Sequence, residues 1–296
     1  YRTKVPNLKW LKVAYLKVLV ETRRGELGTV DSSQFKERKV RIDACVTPDA
    51  GGKMSAATPI RIGVLGAGTV GGHVIHLLDQ WADEYERRLG VRVDVESVLV
   101  RRLEAKRAFP IASELLSTDP YAVIDGKDIV VELIGGVEPA FDYVMAALRN
   151  GSAVVTGNKA LIASRGPELF EAARQANTRL YFEASVAGAI PVIHALSSSL
   201  RGDRVRQIAG IVNGTTNFIL DAMTTRGADY NEALAQAQEL GFAEADPSAD
   251  VEGYDASAKC AIMSSLSFGR WVSVDSVPRQ GITTLSTKDI AFAAEL

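Results

Sequence analysis

The chain has 296 residues, 47% of them hydrophobic and 24% charged, with a net charge of −2. That is long enough for two domains with buried cores, and too near neutrality to make nucleic acid the main partner. Two cysteines, Cys45 and Cys260, are too few and too far apart for a disulfide framework or a zinc cluster, and they fit a reducing, cytoplasmic setting. No apolar run reaches the ~18 residues of a membrane-spanning helix.

Residues 1–53 carry 12 Lys and Arg against 6 Asp and Glu, whereas the remainder is net acidic. With the small-residue stretch that follows, this basic piece reads as an N-terminal extension over 1–57 that packs poorly. An amphipathic surface helix is the alternative. From Pro59 onward, short apolar runs alternate with helical patterns. Strands are expected over 60–65, 93–100, 128–133, 153–155 and 180–183, and helices over 70–81, 138–149 and 167–176. Such β-α-β alternation implies a doubly wound parallel sheet with helices on both faces. The rhythm changes after Gly188. A strand-like run over 206–212 precedes three helical stretches, 217–225, 230–240 and 254–268. The expected division is therefore 58–190 for the sheet domain and 191–296 for a second domain.

Gly66, Gly68 and Gly71 follow the first strand and open the first helix, which is the setting in which GxGxxG binds a dinucleotide. The first glycine allows a tight turn and the second lets the backbone approach a pyrophosphate. The third brings helix and strand together, with the helix N-terminus facing the phosphates. At the end of the second strand, Arg101 and Arg102 stand where an acidic residue would hold a ribose 2′-hydroxyl. Arginine there suits a 2′-phosphate, and hence NADP over NAD. His73 and His76 fall on the first helix and form no metal-ligand pattern with His194.

The segment 237–259 joins a helix end to an acidic loop and a helix start. Asp255 and Lys259 lie four residues apart on that last helix and share a face. With Glu244, Asp246 and Asp250 nearby, the cluster suits binding a zwitterion and moving one proton. A solvated, salt-bridged helix start is the plain alternative.

Over Ala237, Gly241, Phe242, Ala243, Asp246, Pro247, Asp250, Val251, Gly253, Asp255 and Lys259 the chain resembles the homoserine dehydrogenase family without departure. Further matching runs start at Glu132, Gly157, Phe182 and Asn213, so the resemblance covers residue 60 to the end. It implies a Rossmann-type domain followed by a smaller α+β catalytic and dimerisation domain. It also implies reversible NAD(P)-dependent interconversion of L-homoserine and L-aspartate 4-semialdehyde, on the route to threonine, methionine and isoleucine. By the resemblance Lys259 is the proton donor and acceptor, Glu244 holds the substrate ammonium, Asp255 orients the substrate, and Gly214 and Thr215 border it. Lys159 and Gly241 match cofactor-contacting positions, beside Gly66, Gly68, Thr69, Val70, Gly71 and Arg101. Glu183, with the carbonyls of Val186, Gly188 and Ile190, matches a site for a monovalent cation, usually sodium.

Family catalytic regions continue past residue 296, and a regulatory ACT domain common in the family is absent, so the chain reads as a fragment. A full-length homodimer is implied. Two other readings stay open: a dehydrogenase of a different amino-acid semialdehyde, and a non-catalytic NADP-binding fragment.

Overall fold

The computed structural model describes residues 58–295; the extension expected over 1–57 lies outside them. The described chain forms two units. One comprises residues 58–156 with Glu168–Tyr181, the other Gly157–Pro167 with the chain from Phe182 onward.

The first unit is built on six parallel strands in the order β3-β2-β1-β4-β5-β6. They are β1 Ile60–Leu65, β2 Val93–Leu99, β3 Leu116–Ser117, β4 Ile129–Glu132, β5 Ala153–Thr156 and β6 Leu180–Tyr181. The helices are α1 Thr69–Gln80, α2 Ala82–Leu89, α3 Pro120–Ile124 and α4 Ala140–Arg149, with the later turns of α5 Lys159–Gln175. β1 and β2 bury Val64, Leu65 and Val98 completely, as strands covered on both faces must. Val64 and Val98 form one core cluster with Ile62, Ile75, Val100 and Val131, and each such side chain contributes about 1.5–3 kcal/mol on burial. On α4, Ala140, Val144, Ala147 and Leu148 recur at helical spacing and are fully buried. The strand order reverses between β1 and β4, where Leu65 pairs with Glu132. Ligands of open parallel sheets bind beyond the carboxyl ends of strands at such a reversal.

Two sequence expectations shift here. The helix expected over 167–176 begins at Lys159 and carries Pro167 inside it. Proline crowds the Cβ of the residue before it, and Gly166 has none. Asn158 also starts the helix early, its Oδ1 accepting from the Leu161 N–H at 3.1 Å. The strand expected over 180–183 stops at Tyr181, because Glu183 enters a 3-10 turn with Ala184 and Ser185.

The second unit is helical among the described residues: α6 Val192–His194 running on into a π-turn at Ala195–Ser199, α7 Gly214–Arg226, α8 Tyr230–Glu239, α9 Ser248–Val251, α10 Tyr254–Phe268 and α11 Thr287–Glu295. The run 206–212 expected as a strand pairs with no strand among the described residues. Strand propensity sets a backbone preference, but a ladder needs a partner edge. α7 and α8 form a helical hairpin. Gly227 turns left-handed after α7, and Asp229 caps α8 by accepting from the Glu232 N–H at 2.9 Å. Ala222, Ala233 and Ala237 are wholly buried between Ile219 and Met223, the small side chains letting the helices approach closely. Midway along α5 the fit is tighter still. A Cβ on Gly166 would stand 2.2 Å from the Trp271 ring, so only glycine fits.

Candidate functional site

In the first unit the candidate site is mostly backbone. Gly66 follows β1 with φ +105, a conformation L side chains rarely adopt. A Cβ on Gly71 would fall 2.0 Å from the Gly66 carbonyl oxygen, so the third glycine is what lets α1 start directly against the strand end. A Cβ on Gly68 would meet no protein atom within 4 Å, which leaves the second glycine facing open space. No side chain caps the N-terminus of α1, so the first N–H groups, including those of Thr69 and Val70, are available to an anion. These features fit a dinucleotide pyrophosphate.

After β2 the chain presents Arg101 and Arg102, both exposed. Their loop is held by a third arginine, which belongs to no motif. The Arg107 guanidinium donates to the backbone carbonyls of Arg102 at 2.7 Å, Leu103 at 3.0 Å and Ala105 at 2.9 Å. Phe109, from the same loop, stacks on His76 with ring centres 4.4 Å apart and meets His73 edge-on at 4.7 Å. The two histidines are thus loop anchors on the surface of α1. At the end of β4, buried Glu132 accepts from the N–H groups of Ile134 and Gly135 and from the Thr156 hydroxyl, bracing the ends of β4 and β5.

In the second unit the candidate site is a cluster of charged side chains. The Asp255 side chain is 4% exposed and lies in the first turn of α10. Its Oδ1 pairs with the Lys159 ammonium at 2.7 Å, and its Oδ2 with the Lys259 ammonium at 2.6 Å. Asn213 Nδ2 donates to that same Oδ2 at 2.9 Å. Burial pushes the Asp255 carboxyl up, but the bonds from Lys159, Lys259 and Asn213 together hold it below its ordinary value. Lys259, 16% exposed, also donates to the Val212 carbonyl at 2.6 Å. Two of its three hydrogens are thereby fixed in direction and the third remains for a reacting oxygen. Lys159, expected with the cofactor-contacting positions, has its ammonium on Asp255, because a buried carboxylate draws every cation in reach.

The other expected positions of this unit fall at helix starts and in turns and loops. Gly214 begins α7, and the Thr215 hydroxyl donates to the Phe242 carbonyl at 2.6 Å, tying that helix start to the loop after α8. Gly241, left-handed at φ +75, turns the chain out of α8. Glu244 is exposed, and its carboxylate makes no hydrogen bond or ion pair among the described residues. Asp246 does not converge with the others; its carboxylate is spent on the Ser248 N–H and hydroxyl. Asp250 does converge, accepting from Asn213 Nδ2 at 2.7 Å. Glu183 accepts the N–H groups of Ile193 and His194, each at 2.9 Å, and so anchors the start of α6. The Ile190 carbonyl accepts from Val192 N–H, and Ala187, between Val186 and Gly188, is left-handed at φ 51.

Two family models match the chain. One, described as homoserine dehydrogenase, NAD binding domain, covers residues 66–183, and the other, described as homoserine dehydrogenase, covers residues 191–296. The chain belongs to the homoserine dehydrogenase family. Homoserine dehydrogenase of Corynebacterium glutamicum is 49% identical over 238 residues, which is 80% of this chain and 53% of that protein. The crystal structure of a homoserine dehydrogenase from Thiobacillus denitrificans superposes with a TM-score of 0.75 at 45% identity, over 80% of this chain and 56% of that one. A hyperthermophilic archaeal homoserine dehydrogenase, solved in complex with NADPH, matches with a TM-score of 0.65 at 28% identity, over 78% of this chain and 76% of that one. The chain spans about half the length of the curated relatives it matches. The family's nicotinamide-cofactor domain is thus the unit that carries the glycine loop, and among the described residues no helix is long and apolar enough to cross a membrane.

Proposed function

We propose that the protein carrying this chain is a homoserine dehydrogenase in activity as well as in family, interconverting L-homoserine and L-aspartate 4-semialdehyde for threonine, methionine and isoleucine synthesis. The observation that carries this reading is the Lys259 ammonium, fixed between the Asp255 carboxylate and the Val212 carbonyl with one hydrogen left to give. A bound nicotinamide cofactor supplies hydride exchange at the substrate carbon. Lys259 then moves the proton: it donates to the aldehyde oxygen as that oxygen becomes an alcohol, and takes the proton back in the oxidising direction. Asp255 orients Lys259 and the substrate together, Glu244 holds the substrate ammonium, and Gly214 and Thr215 border the substrate at the start of α7.

The cofactor is NADP in this reading, because Arg101 and Arg102 follow β2 on a loop already held in shape by Arg107. Gly66, Gly68, Thr69, Val70 and Gly71 take the pyrophosphate, with Gly241 and Lys159 as further contacts. Glu183 with the carbonyls of Val186, Gly188 and Ile190 offers oxygens alone, a donor set for a hard monovalent cation such as sodium. The bonds these oxygens already accept leave second lone pairs. By family resemblance the full-length protein is a cytoplasmic homodimer acting on small molecules. The domain division we favour along the chain is 1–57, 58–190 and 191–296, its last boundary supported by the start of the second family model at residue 191; the compact units differ from it in grouping 157–167 and 182–190 with the later residues. The deciding experiment is L-homoserine-dependent reduction of NADP+ by the full chain, with a panel of other amino alcohols alongside. Turnover confined to L-homoserine is expected; NADPH binding with no turnover of any substrate would reduce the protein to a cofactor-binding module.

A further inference from the structure

We infer that Asn213 is a positioning residue of the candidate catalytic site, its side-chain amide holding the Asp250 and Asp255 carboxylates in one fixed arrangement beside Lys259. The inference rests on the functional reading above and adds a residue for which that reading has no role.

Asn213 is 8% exposed and uses every hydrogen-bonding position it has. Its two amide hydrogens go to different carboxylates, Asp250 Oδ1 at 2.7 Å and Asp255 Oδ2 at 2.9 Å. Its Oδ1 accepts the Thr216 N–H at 2.8 Å and the Thr216 hydroxyl at 2.9 Å, which makes it the N-cap of α7. The two ends of the amide cannot be interchanged, because an oxygen turned toward two carboxylates would face only other acceptors. Helix α7 therefore fixes the carbonyl end, and the amino end, rigidly attached to it, fixes the separation of the carboxylates. One of those, Asp255, also directs Lys259 through the same Oδ2 that receives the amide. A shift of Asp255 by a few tenths of an ångström would be passed on to the amine that moves the proton.

No other residue type does both jobs. Serine and aspartate cap a helix about as well as asparagine, but serine is too short to bridge two carboxylates. Aspartate has the right shape and no hydrogen to donate, so it would place a third carboxylate against the other two and the Lys159 and Lys259 cations.

These properties separate the two roles experimentally. Asn213→Ala removes cap and bridge, Asn213→Ser restores the cap alone, and Asn213→Asp restores the cap while opposing the bridge. In the full chain we expect Asn213→Ser to recover most of the thermal stability that Asn213→Ala loses, and Asn213→Asp to recover less, since its third carboxylate opposes the cap it restores. Yet kcat/KM for L-homoserine should remain about 10- to 100-fold low in Asn213→Ser, the range for losing bonds to charged groups, and lower still in Asn213→Asp. NADPH affinity should be unchanged throughout. If serine or aspartate recovers kcat/KM together with stability, Asn213 is a helix cap and nothing more. Lys259→Ala runs in parallel: should it stay active, or should wild type not turn over L-homoserine, the functional reading fails on its own account.

Discussion

The two candidate sites recognise charge by opposite means. In the first unit the anion-binding elements are backbone: an uncapped helix start, a left-handed Gly66, and Gly71 packed beneath the Gly66 carbonyl. In the second unit charge is handled by side chains, with Asp255 between two lysines and an asparagine. Backbone recognition depends on space and φ and is lost when a single Cβ is added. Side-chain recognition depends on partners, and is lost when one is removed and the others are left unpaired.

The largest effect should follow from the side-chain site. Lys259→Ala is expected to lower kcat by ~10²–10⁴-fold, the range for losing a positioned acid–base group, with little change in the KM for L-homoserine. Glu244→Ala should chiefly raise that KM, since an ammonium held by a carboxylate is bound alike in ground and transition states. Steady-state kinetics of the two variants side by side would break the assignment if the roles came out reversed. The backbone site answers with Gly71→Ala, whose added carbon has nowhere to go. Its stability should fall by about 1–3 kcal/mol, and NADPH affinity, measured by fluorescence titration, should drop with no defect in L-homoserine binding.

Arg101→Asp is expected to weaken NADPH by roughly 1.5–3 kcal/mol relative to NADH, the scale of one charge-assisted contact. Equal losses for the two cofactors would remove the 2′-phosphate from the account. For Asp255 the sign of the pH effect follows from a carboxyl held below its ordinary value of 3.8. The stabilisation is complete above that value and is lost as pH falls through the lower value in the fold. Asp255→Asn should therefore be least stable relative to wild type near neutral pH, with the gap closing below pH 3.8. Denaturant unfolding across that range checks it, and a constant gap would mean the carboxylate contributes packing alone. Glu183→Ala, smallest of the set, should cost about 1 kcal/mol through the lost anchor on α6. A weakened response of activity to sodium would add the cation role; a response equal to wild type would leave only the anchor.

How much of this was legible in the sequence follows the same contrast. GxGxxG after a buried strand marked the first candidate site, because backbone recognition leaves a fixed spacing of glycines. Asp255 and Lys259 were visible as an i, i+4 pair within a longer signature. Asn213, Val212 and Lys159 were not assigned to that pair, since they come from 42, 43 and 96 residues before Asp255 and meet it only through the fold. Asn213 fell outside the helix expected over 217–225, and only the observed start of α7 at Gly214 makes it a cap as well as a bridge. Likewise the strand expected over 206–212 failed because its fate depends on a neighbour rather than on its own residues, and the helix at 167–176 began eight residues early because Asn158 and Gly166 outweighed the proline.

The glycine at position 166 also makes Trp271 useful as an optical gauge. The indole lies directly against the backbone of the helix that begins with Lys159, in a contact too close to admit one more carbon. Its emission is therefore sensitive to small displacements of that helix, and the helix carries the cation that shares Asp255 with Lys259. With Trp10 and Trp81 both replaced by phenylalanine, Trp271 would be the one tryptophan left in the chain, and its fluorescence would follow how firmly the Lys159 helix is seated when substrate is added, with no label attached.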